Sequence, residues 1–510
     1  MGLGRAGAVA LVGLTGHVVQ VEAHLAASVP GFTLIGLPDA ALSESRDRVR
    51  AAVASSGLRW PNRKVTVNLS PAALPKQGSG FDLAIAVAVL AGAGLVDAAS
   101  AARAVHLGEL GLDGRVHPVR GVLPAVAAAV AAGVERVVVA EADAAEARLV
   151  RGADVRGVAT LGELALAYGA QIPPPAVLPP VARGPVRAPR AETPDLADVL
   201  GQGPARQALE VAAAGGHHLL MVGPPGAGKT MLATRLPGIL PDLGEDESVE
   251  VTALHSVAGT FDPSVGLIRR PPFEGPHHTA TAASIVGGGS GLPRPGAASR
   301  AHRGVLFLDE APEFAGRVLQ TLRQPLEQGE LVIHRAGGAA RYPARFQLVL
   351  AANPCPCGRA VGKGLDCTCS SLARRRYFAR LDGPLLDRVD LQVEVAPVRR
   401  ADLADGAQGE PSAAVAARVR AARDAQAERF ARTGWATNAE ANGGWLRRRL
   451  GAGVRVLSDL DRALDRGQLT LRGADRVLKV AWTLADLAGR DGPGTEDVAR
   501  ALALRTRSVS

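Results

Sequence analysis

Aromatic side chains and long apolar runs are scarce in this chain. Phe, Trp and Tyr together make up 3% of its 510 residues, so stacking of bases on aromatic rings cannot be a dominant mode of binding. Its apolar windows, such as 83–96, fall short of the roughly twenty residues that a membrane-spanning helix needs. The sequence therefore predicts a protein without membrane spans.

A secretory signal is not expected either. Arg5 precedes an apolar run from Ala6 to Leu14 that superficially resembles one. The run has no small-x-small cleavage site, and it continues into residues 15–22, whose polar alternation predicts a strand. We therefore expect a cytoplasmic protein.

The charge balance is basic, with a formal net charge of +9 and a pI near 10.0. A polyanionic partner would explain this excess, but the basic residues are scattered, and a solvated surface explains much of it equally well. A measurement of salt-dependent binding separates the two.

The most specific motif follows the apolar run 219–222, which predicts a strand. Its residues are Gly223, Pro224, Pro225, Gly226, Ala227, Gly228, Lys229 and Thr230. The glycines let backbone N–H groups converge on phosphates, while Lys229 reaches the β and γ oxygens and Thr230 offers a hydroxyl to Mg²⁺. The motif predicts a nucleoside triphosphate site with ATP and Mg²⁺ as cofactors.

Two further predicted strands end in polar residues suited to the same site. The run 305–308 leads into Asp309, expected to hold Mg²⁺ through its waters, and Glu310, expected to align and deprotonate the attacking water. The run 346–351 leads to Asn353, which is placed to contact the γ-phosphate. The sequence therefore predicts a hydrolytic site.

Three arginines follow this predicted core. Arg388 lies in the turn 385–390, and Arg472 and Arg476 lie in a stretch of helical periodicity, 469–487. The order of loop, Asp-Glu strand, Asn strand and turn arginine resembles AAA+ ATPases. In that family the turn arginine reaches the nucleotide of a neighbouring subunit, which implies a ring. The resemblance leaves open whether Arg472 or Arg476 is the sensor-2 residue.

All the cysteines of the chain lie close together: Cys355, Cys357, Cys367 and Cys369. In a reducing cytoplasm, two cysteine pairs around a short loop can supply the tetrahedral thiolates that structural Zn²⁺ prefers. Because the spacing is C-x-C rather than C-x-x-C, a redox pair and unligated thiols stay as alternatives to zinc.

The segment between the phosphate loop and Asp309 is longer than a minimal core of this class requires, so it predicts an insertion. It contains His277 and His278, for which polar loop contacts are favoured over metal coordination. Residues 331–342 predict a hairpin that turns at Gly337 and Gly338. Arg335 and Arg341 flank this turn, where they either meet phosphates of a threaded strand or are simply solvated.

A proline-rich stretch, 172–194, predicts a semi-rigid linker and divides the chain. Before it, residues 1–171 alternate strand-like and helical runs and predict an α/β domain. After it we expect an ATPase core with a parallel sheet over 195–400 and a helical lid over 401–510.

The front domain carries motifs at 30–39, 67–71 and 75–82 that resemble the YifB/ComM family of magnesium-chelatase-like ATPases. The resemblance covers essentially the whole chain, including the Cys-Pro-Cys-Gly run, while the insertion resembles the helix-2 insert of the chelatase and replicative-helicase branch. It implies a front domain similar to the Lon protease domain (ribosomal S5 domain 2-like). Gly80 stands where Lon has its nucleophile, and Ser79 is expected to cap a helix, so the protease dyad is absent.

The same resemblance implies a function. Members of this family are expected to form hexamers that use ATP and Mg²⁺ to drive branch migration or strand separation of DNA, assisting recombination of incoming strands in natural transformation. Single-stranded or branched DNA and recombination proteins are the implied partners.

Two other functions remain open. A magnesium-chelatase motor subunit shares the ATPase architecture but is not expected to carry the Lon-like front domain or the cysteine loop. An ATP-dependent protease would explain the front domain, but the missing serine-lysine pair argues against it.

Overall fold

The computed structural model describes most of the chain. The described residues are 2–36, 42, 44–76, 78–184, 194–289, 293–335, 338–360, 366–381, 385–397, 409–450 and 454–505. The predicted domain boundary at 400–401 and the predicted hairpin residue Gly337 lie outside them. The fold is α/β, with a parallel central sheet followed by C-terminal helices, which confirms the predicted class.

The strands are β1 (Gly2–Val12), β2 (Thr15–Ala26), β3 (Gly31–Ile35), β4 (Lys64–Ser70), β5 (Val105–Leu107), β6 (Glu109–Leu110), β7 (Val116–His117), β8 (Arg136–Ala140), β9 (Asp154–Val158), β10 (Leu219–Val222), β11 (Phe273–Glu274), β12 (Gly287–Gly288), β13 (Arg294–Pro295), β14 (Val305–Leu308), β15 (Glu330–Arg335), β16 (Gly338–Pro343), β17 (Gln347–Ala352) and β18 (Leu391–Glu394). The helices are α1 (Ser45–Ser55), α2 (Asp82–Gly92), α3 (Ala98–Ala102), α4 (Val122–Ala131), α5 (Ala144–Ala147), α6 (Leu161–Ala167), α7 (Gly203–Gly215), α8 (Lys229–Ala233), α9 (Glu245–Ala258), α10 (Ala282–Val286), α11 (Ala297–Arg300), α12 (Gly316–Thr321), α13 (Arg323–Gln328), α14 (Ser371–Ala379), α15 (Ser412–Phe430), α16 (Gly443–Arg449), α17 (Ser458–Asp465), α18 (Leu471–Leu487) and α19 (Thr495–Ala503).

The front part of the chain is built on a seven-stranded mixed sheet in the order β3-β4-β2-β1-β5-β8-β9. Its longest pairing is the antiparallel hairpin of β1 and β2. Helix α2 packs against this hairpin, and it is buried from Asp82 through Ala91. A helix that is apolar on all sides needs such a location to hide every face from water.

The central sheet has the order β11-β14-β17-β10-β18, and all of its pairings are parallel. Parallel strands of this kind are covered on both faces, which is why β14 and β17 read as continuous apolar runs and are buried throughout. Because parallel strands end on the same side, the residues that follow β10, β14 and β17 meet at one edge.

The C-terminal helices share a hydrophobic core with one face of the central sheet. Helix α15 packs against α7 and α18, and Trp482 of α18 is buried in this core together with Leu219 of β10. Arg429 bonds the buried carboxylate of Asp486 and lies over the ring of Trp482. These helices are therefore packed onto the central sheet through a shared hydrophobic core.

The front sheet docks on the insertion and on the β15–β16 hairpin. The turn between β1 and β2 packs there, since Leu14 joins a small apolar cluster with Leu254 and Tyr342. A Cβ added at Gly13, whose φ is +67°, would lie 2.4 Å from the carbonyl oxygen of Arg341, so the two backbones touch at this point. The front sheet and the hairpin thus form a direct contact.

A buried polar cluster reinforces this docking. Glu146 accepts hydrogen bonds from Ser256 of α9 and, at 2.8 Å, from the backbone N–H of Leu123. Arg183, from the predicted linker, bonds both Glu146 and Asp143. Burial raises the pKa of Asp143 to about 6, while the bond from the Val119 N–H and the charge of Arg183 oppose that shift. The proline-rich segment is therefore anchored to the front domain at Arg183.

Within the described part of the chain, no helix combines the length and apolar character required to traverse a bilayer.

Candidate active site

The phosphate loop connects β10 to α8 and carries its lysine in a half-enclosed position. Lys229 is 8% exposed, and its Nζ donates to the carbonyl oxygens of Gly223 and Pro224 at 2.7 and 2.9 Å and to Asn353 Oδ1 at 3.2 Å. Burial lowers the pKa of Lys229, and the carboxylates of Asp309 and Glu310 oppose that shift. A triphosphate would offer this ammonium charged acceptors, which bind more strongly than neutral ones.

The two residues predicted to bind magnesium lie side by side. Thr230 Oγ1 donates to Asp309 Oδ2 at 2.6 Å. A hydroxyl and a carboxylate side by side are oxygen donors of the kind that Mg²⁺ prefers, directly or through its waters. The ion would neutralise charge on the phosphates when bound.

Glu310 has an unusual backbone and a partner that the sequence did not identify. Its φ of 50° lies in the left-handed region, which non-glycine residues rarely adopt outside functional or strained sites. Its Oε2 lies 3.2 Å from Nδ1 of His278, which is located in the insertion. The neighbouring His277 instead bonds Thr279 at 2.8 Å and lies against the His278 ring. One imidazole of the pair therefore contacts the predicted general base.

We expect His278→Ala to raise the basal rate of ATP hydrolysis roughly two- to tenfold, the equivalent of one hydrogen bond's net contribution. The imidazole competes with the attacking water for one oxygen of Glu310, so its removal frees that oxygen. His277→Ala is the matched control, because that ring bonds Thr279 rather than Glu310, and its rate should equal that of the parent chain. Turnover measured without any added polymer checks this, and a lower rate for His278→Ala would contradict it.

The predicted turn arginine lies far from the phosphate loop of its own chain. In the parallel pairing of β10 and β18, Leu219 faces Leu391 and Val222 faces Glu394. Arg388 precedes β18, whereas the phosphate loop follows Val222, so the two lie at opposite edges of the sheet, separated by about 10 Å of strand at 3.3 Å per residue. Within the chain, Arg388 pairs with Glu327 of α13 and is 19% exposed.

The two candidate sensor-2 arginines are also not connected to the phosphate loop by any hydrogen bond among the described residues. Arg476 bonds Asp390 and the carbonyl oxygen of Arg388, at the same edge as Arg388. Burial would raise the pKa of Asp390, but His217 and Arg476 hold it well below its usual range, which keeps it anionic for Arg476. Arg472, one turn earlier on α18, is exposed.

The cysteines form one compact cluster. The Sγ atom of Cys355 lies 3.3 Å from that of Cys357 and 3.6 Å from that of Cys367, and all four sulfurs lie within 4.8 Å of one another. A tetrahedral zinc site with Zn–S bonds of 2.3 Å places its sulfurs about 3.8 Å apart. A hydrogen bond from the backbone N–H of Arg359, followed by one from Cys355, lowers the pKa of the Cys357 thiol to about 6. The cluster could therefore hold Zn²⁺.

Sequence reasoning also missed a residue that supports the phosphate loop. Gln202, with a φ of 57°, donates from Nε2 to the carbonyl oxygens of Ala227, at 3.0 Å, and Ala396, at 2.5 Å. It links the loop to the chain after β18. No motif marks this glutamine, since its role depends on contacts between distant parts of the chain.

The expectation that Ser79 caps a helix is wrong. Phe81 occupies the cap position of α2, and Ser79 lies inside the short 3-10 turn Ser79–Phe81 that precedes this helix. The Ser79 hydroxyl donates to Glu109 instead of to a backbone N–H of the helix. The lysine nearest to Ser79 in the sequence, Lys76, is buried and bonds the carbonyl oxygen of Pro71. No serine-lysine hydrogen bond forms here among the described residues.

Comparison with protein families covers three segments of the chain. The model described as "Magnesium chelatase, subunit ChlI" matches residues 195–403, and "Magnesium chelatase, subunit ChlI C-terminal" matches 409–505. A third, "Subunit ChlI of Mg-chelatase", matches residues 21–143. Because this third description also refers to a chelatase subunit, the front domain does not by itself distinguish the chain from such subunits.

Similar full-length proteins are found in several bacteria. An uncharacterized protein of Mycobacterium tuberculosis is 53% identical, covering 99% of both chains. Competence protein ComM of Haemophilus influenzae is 39% identical, covering 97% of this chain and 96% of its own. The uncharacterized protein YifB of Escherichia coli is 39% identical, covering 94% and 93%. With such identity over nearly its whole length, the chain belongs to the magnesium-chelatase-like AAA+ family of ComM and YifB.

Proposed function

We propose that this protein is an ATP-driven motor that acts on DNA as a hexameric ring, promoting branch migration or strand separation during recombination of incoming DNA. The observation that carries the proposal is the cluster of Lys229, Thr230, Asp309 and Asn353 at one sheet edge, with Glu310 beside it. These residues supply the positioning and charge stabilisation that phosphoryl transfer requires.

The placement of Arg388 supports the ring. An arginine at the sheet edge opposite its own phosphate loop can complete a hydrolytic site only in a neighbouring protomer. Head-to-tail contacts of this type close into cyclic assemblies when the rotation permits. Adjacent protomers would therefore share each site.

DNA as the polymer is supported by an arginine-rich helix and by the likeness to competence protein ComM. Arg374, Arg375 and Arg376 of α14 are exposed, and their side chains make no hydrogen bond or ion pair with other described residues. Tyr377, next to them, is 4% exposed, so its ring is too buried to stack on a base. Binding through α14 would therefore rest on phosphate contacts.

The experiment that tests the proposal measures ATP turnover by the purified chain with and without forked or four-way DNA. We propose that DNA stimulates turnover and that ATP drives strand exchange in the four-way substrate. Lys229→Ala is the negative control, because it removes the ammonium that contacts the phosphates. Turnover unaffected by every DNA structure would contradict the proposal.

Replacing Arg374, Arg375 and Arg376 together by alanine should weaken binding of single-stranded DNA. At about 0.7 released counterions per phosphate contact, the slope of log affinity against log salt should fall by about two. The control replaces the arginine run Arg447–Arg449, which removes the same charge from α16. Binding titrations at several salt concentrations check this, and equal slopes for both triple variants would contradict it.

A chelatase motor is the second candidate, and the descriptions of the three matching family models favour keeping it. The same purified protein can be tested for ATP-dependent insertion of Mg²⁺ into a porphyrin, with extracts that supply the partner subunits. Porphyrin metallation without any DNA stimulation would replace the DNA motor by this function.

A further inference from the structure

The cysteine cluster and the phosphate loop touch each other. Gly358, which directly follows Cys357, has a φ of +75°, and a Cβ added to it would lie 2.6 Å from Cδ and 2.8 Å from Cγ of Pro225. At such a distance the glycine backbone is already packed against the proline ring. Pro225 is the third residue of the phosphate loop, so the cysteine cluster is adjacent to that loop.

A second connection joins the cluster to the polar end of β17. Asn353 accepts a hydrogen bond from Lys229, and Cys355, two residues later, is fully buried. The backbone N–H of Gly358 donates to the carbonyl oxygen of Cys355 at 2.9 Å. This tight turn sets where Gly358 meets Pro225. At the other end of the loop, the Gly223 N–H donates to Ala352 at 3.1 Å.

We propose that Zn²⁺ bound by Cys355, Cys357, Cys367 and Cys369 braces the phosphate loop through Gly358 and Pro225, so that occupancy of the metal site controls the affinity for ATP. The inference rests on the proposed ATP-dependent function and deepens it. A tetrathiolate site holds the positions of its four ligands rigidly. The turn from Cys355 to Gly358 therefore keeps one conformation while the metal is bound, and the loop is preorganised for phosphates.

The contact also explains why a glycine occupies position 358. Its positive φ and the closeness of Pro225 each disfavour a side chain. A methyl group there would push Pro225 without removing a thiolate. One substitution can thus separate metal binding from loop geometry.

The experiment compares four forms of the full chain: parent, Cys367→Ser with Cys369→Ser, Gly358→Ala, and Thr368→Ala. Native mass spectrometry gives the zinc stoichiometry, and titration with a fluorescent non-hydrolysable ATP analogue in the presence of Mg²⁺ gives the dissociation constant. Thr368 is exposed between the two replaced cysteines and serves as the matched control.

We expect the double cysteine variant to lose zinc and to bind the analogue about tenfold more weakly. Gly358→Ala should keep its zinc and still bind about tenfold more weakly, the size that overpacking one rigid contact produces. Thr368→Ala should match the parent chain in both measurements. Chelator treatment of the parent should reproduce the double variant, and added Zn²⁺ should restore binding.

Unchanged affinity in Gly358→Ala, or in a folded cysteine variant that has lost zinc, would overturn the inference. A parent chain free of metal, with all its thiols open to alkylation, would do the same. A parent chain that binds zinc but no ATP analogue would defeat the proposed function instead. If the cysteine variant fails to fold, as circular dichroism would show, Gly358→Ala decides alone.

Discussion

Arg388→Ala should lower the rate of ATP hydrolysis roughly 10³- to 10⁵-fold while leaving ATP binding nearly unchanged, as expected for an arginine that stabilises only the transition state. Arg388 lies at the sheet edge opposite the phosphate loop, so its loss cannot disturb the ATP contacts of its own chain. Single-turnover hydrolysis and equilibrium binding of ATP, both measured at concentrations where the assembly has formed, check this expectation.

Glu327, one intrachain partner of Arg388, provides the control. If the arginine mattered only for its ion pair with Glu327, then Glu327→Gln would be as damaging as Arg388→Ala. We expect Glu327→Gln to retain most of the activity, since a partly exposed pair contributes about 1 kcal/mol or less.

Mixing Arg388→Ala chains with Glu310→Gln chains tests action across the interface. The Arg388→Ala chain keeps its Glu310, and the Glu310→Gln chain keeps its Arg388. Where these two residues meet across an interface, the site is complete, so the mixture should hydrolyse more ATP than either variant alone. If mixed assemblies are as inactive as assemblies of either single variant, Arg388 acts within its own chain.

Glu310→Gln should bind ATP normally and lose hydrolysis roughly 10²- to 10⁴-fold, the range typical for removal of a general base. The amide keeps the shape of the side chain, and the contacts of Lys229, Thr230 and Asp309 stay in place. The variant should therefore accumulate ATP-bound assemblies.

Glu313→Gln is the matched control for this variant. Glu310 precedes a short turn, Ala311–Glu313, and Glu313 is the last residue of this turn. The Glu313 carboxylate pairs with Arg380 at 3.3 Å. Radiolabelled ATP retained on the protein, and phosphate released from it, distinguish the two variants. Substantial phosphate release by Glu310→Gln would show that another group activates water.

The central sheet was predictable because strands covered on both faces read as apolar runs, and because the residues after β10, β14 and β17 have types suited to phosphate and magnesium. The structure confirms this proximity, since Lys229 donates a hydrogen bond to Asn353 and Thr230 donates one to Asp309. The cysteines were predictable as a cluster for a related reason, since close spacing in sequence limits how far apart they can lie.

Residues whose roles depend on distant parts of the chain were not predictable. His278 looked like one of two equivalent loop histidines until the fold placed it beside Glu310. Ser79 had the sequence context of a helix cap, but its hydroxyl donates a hydrogen bond to the carboxylate of Glu109, thirty residues away in the chain. Arg183 lay in a segment whose prolines predicted only a spacer, whereas buried Asp143 and Glu146 fix it in place.

The docking of the front sheet on the β15–β16 hairpin has a mechanical consequence. Leu14 and Gly13 pack on this hairpin and Glu146 bonds Ser256, so we expect the sheet to move together with the hairpin. A tilt of the hairpin by a few degrees would therefore move the edge strand β3 through a larger arc than the hairpin itself. The front sheet would then amplify small displacements of the hairpin into larger motion of β3.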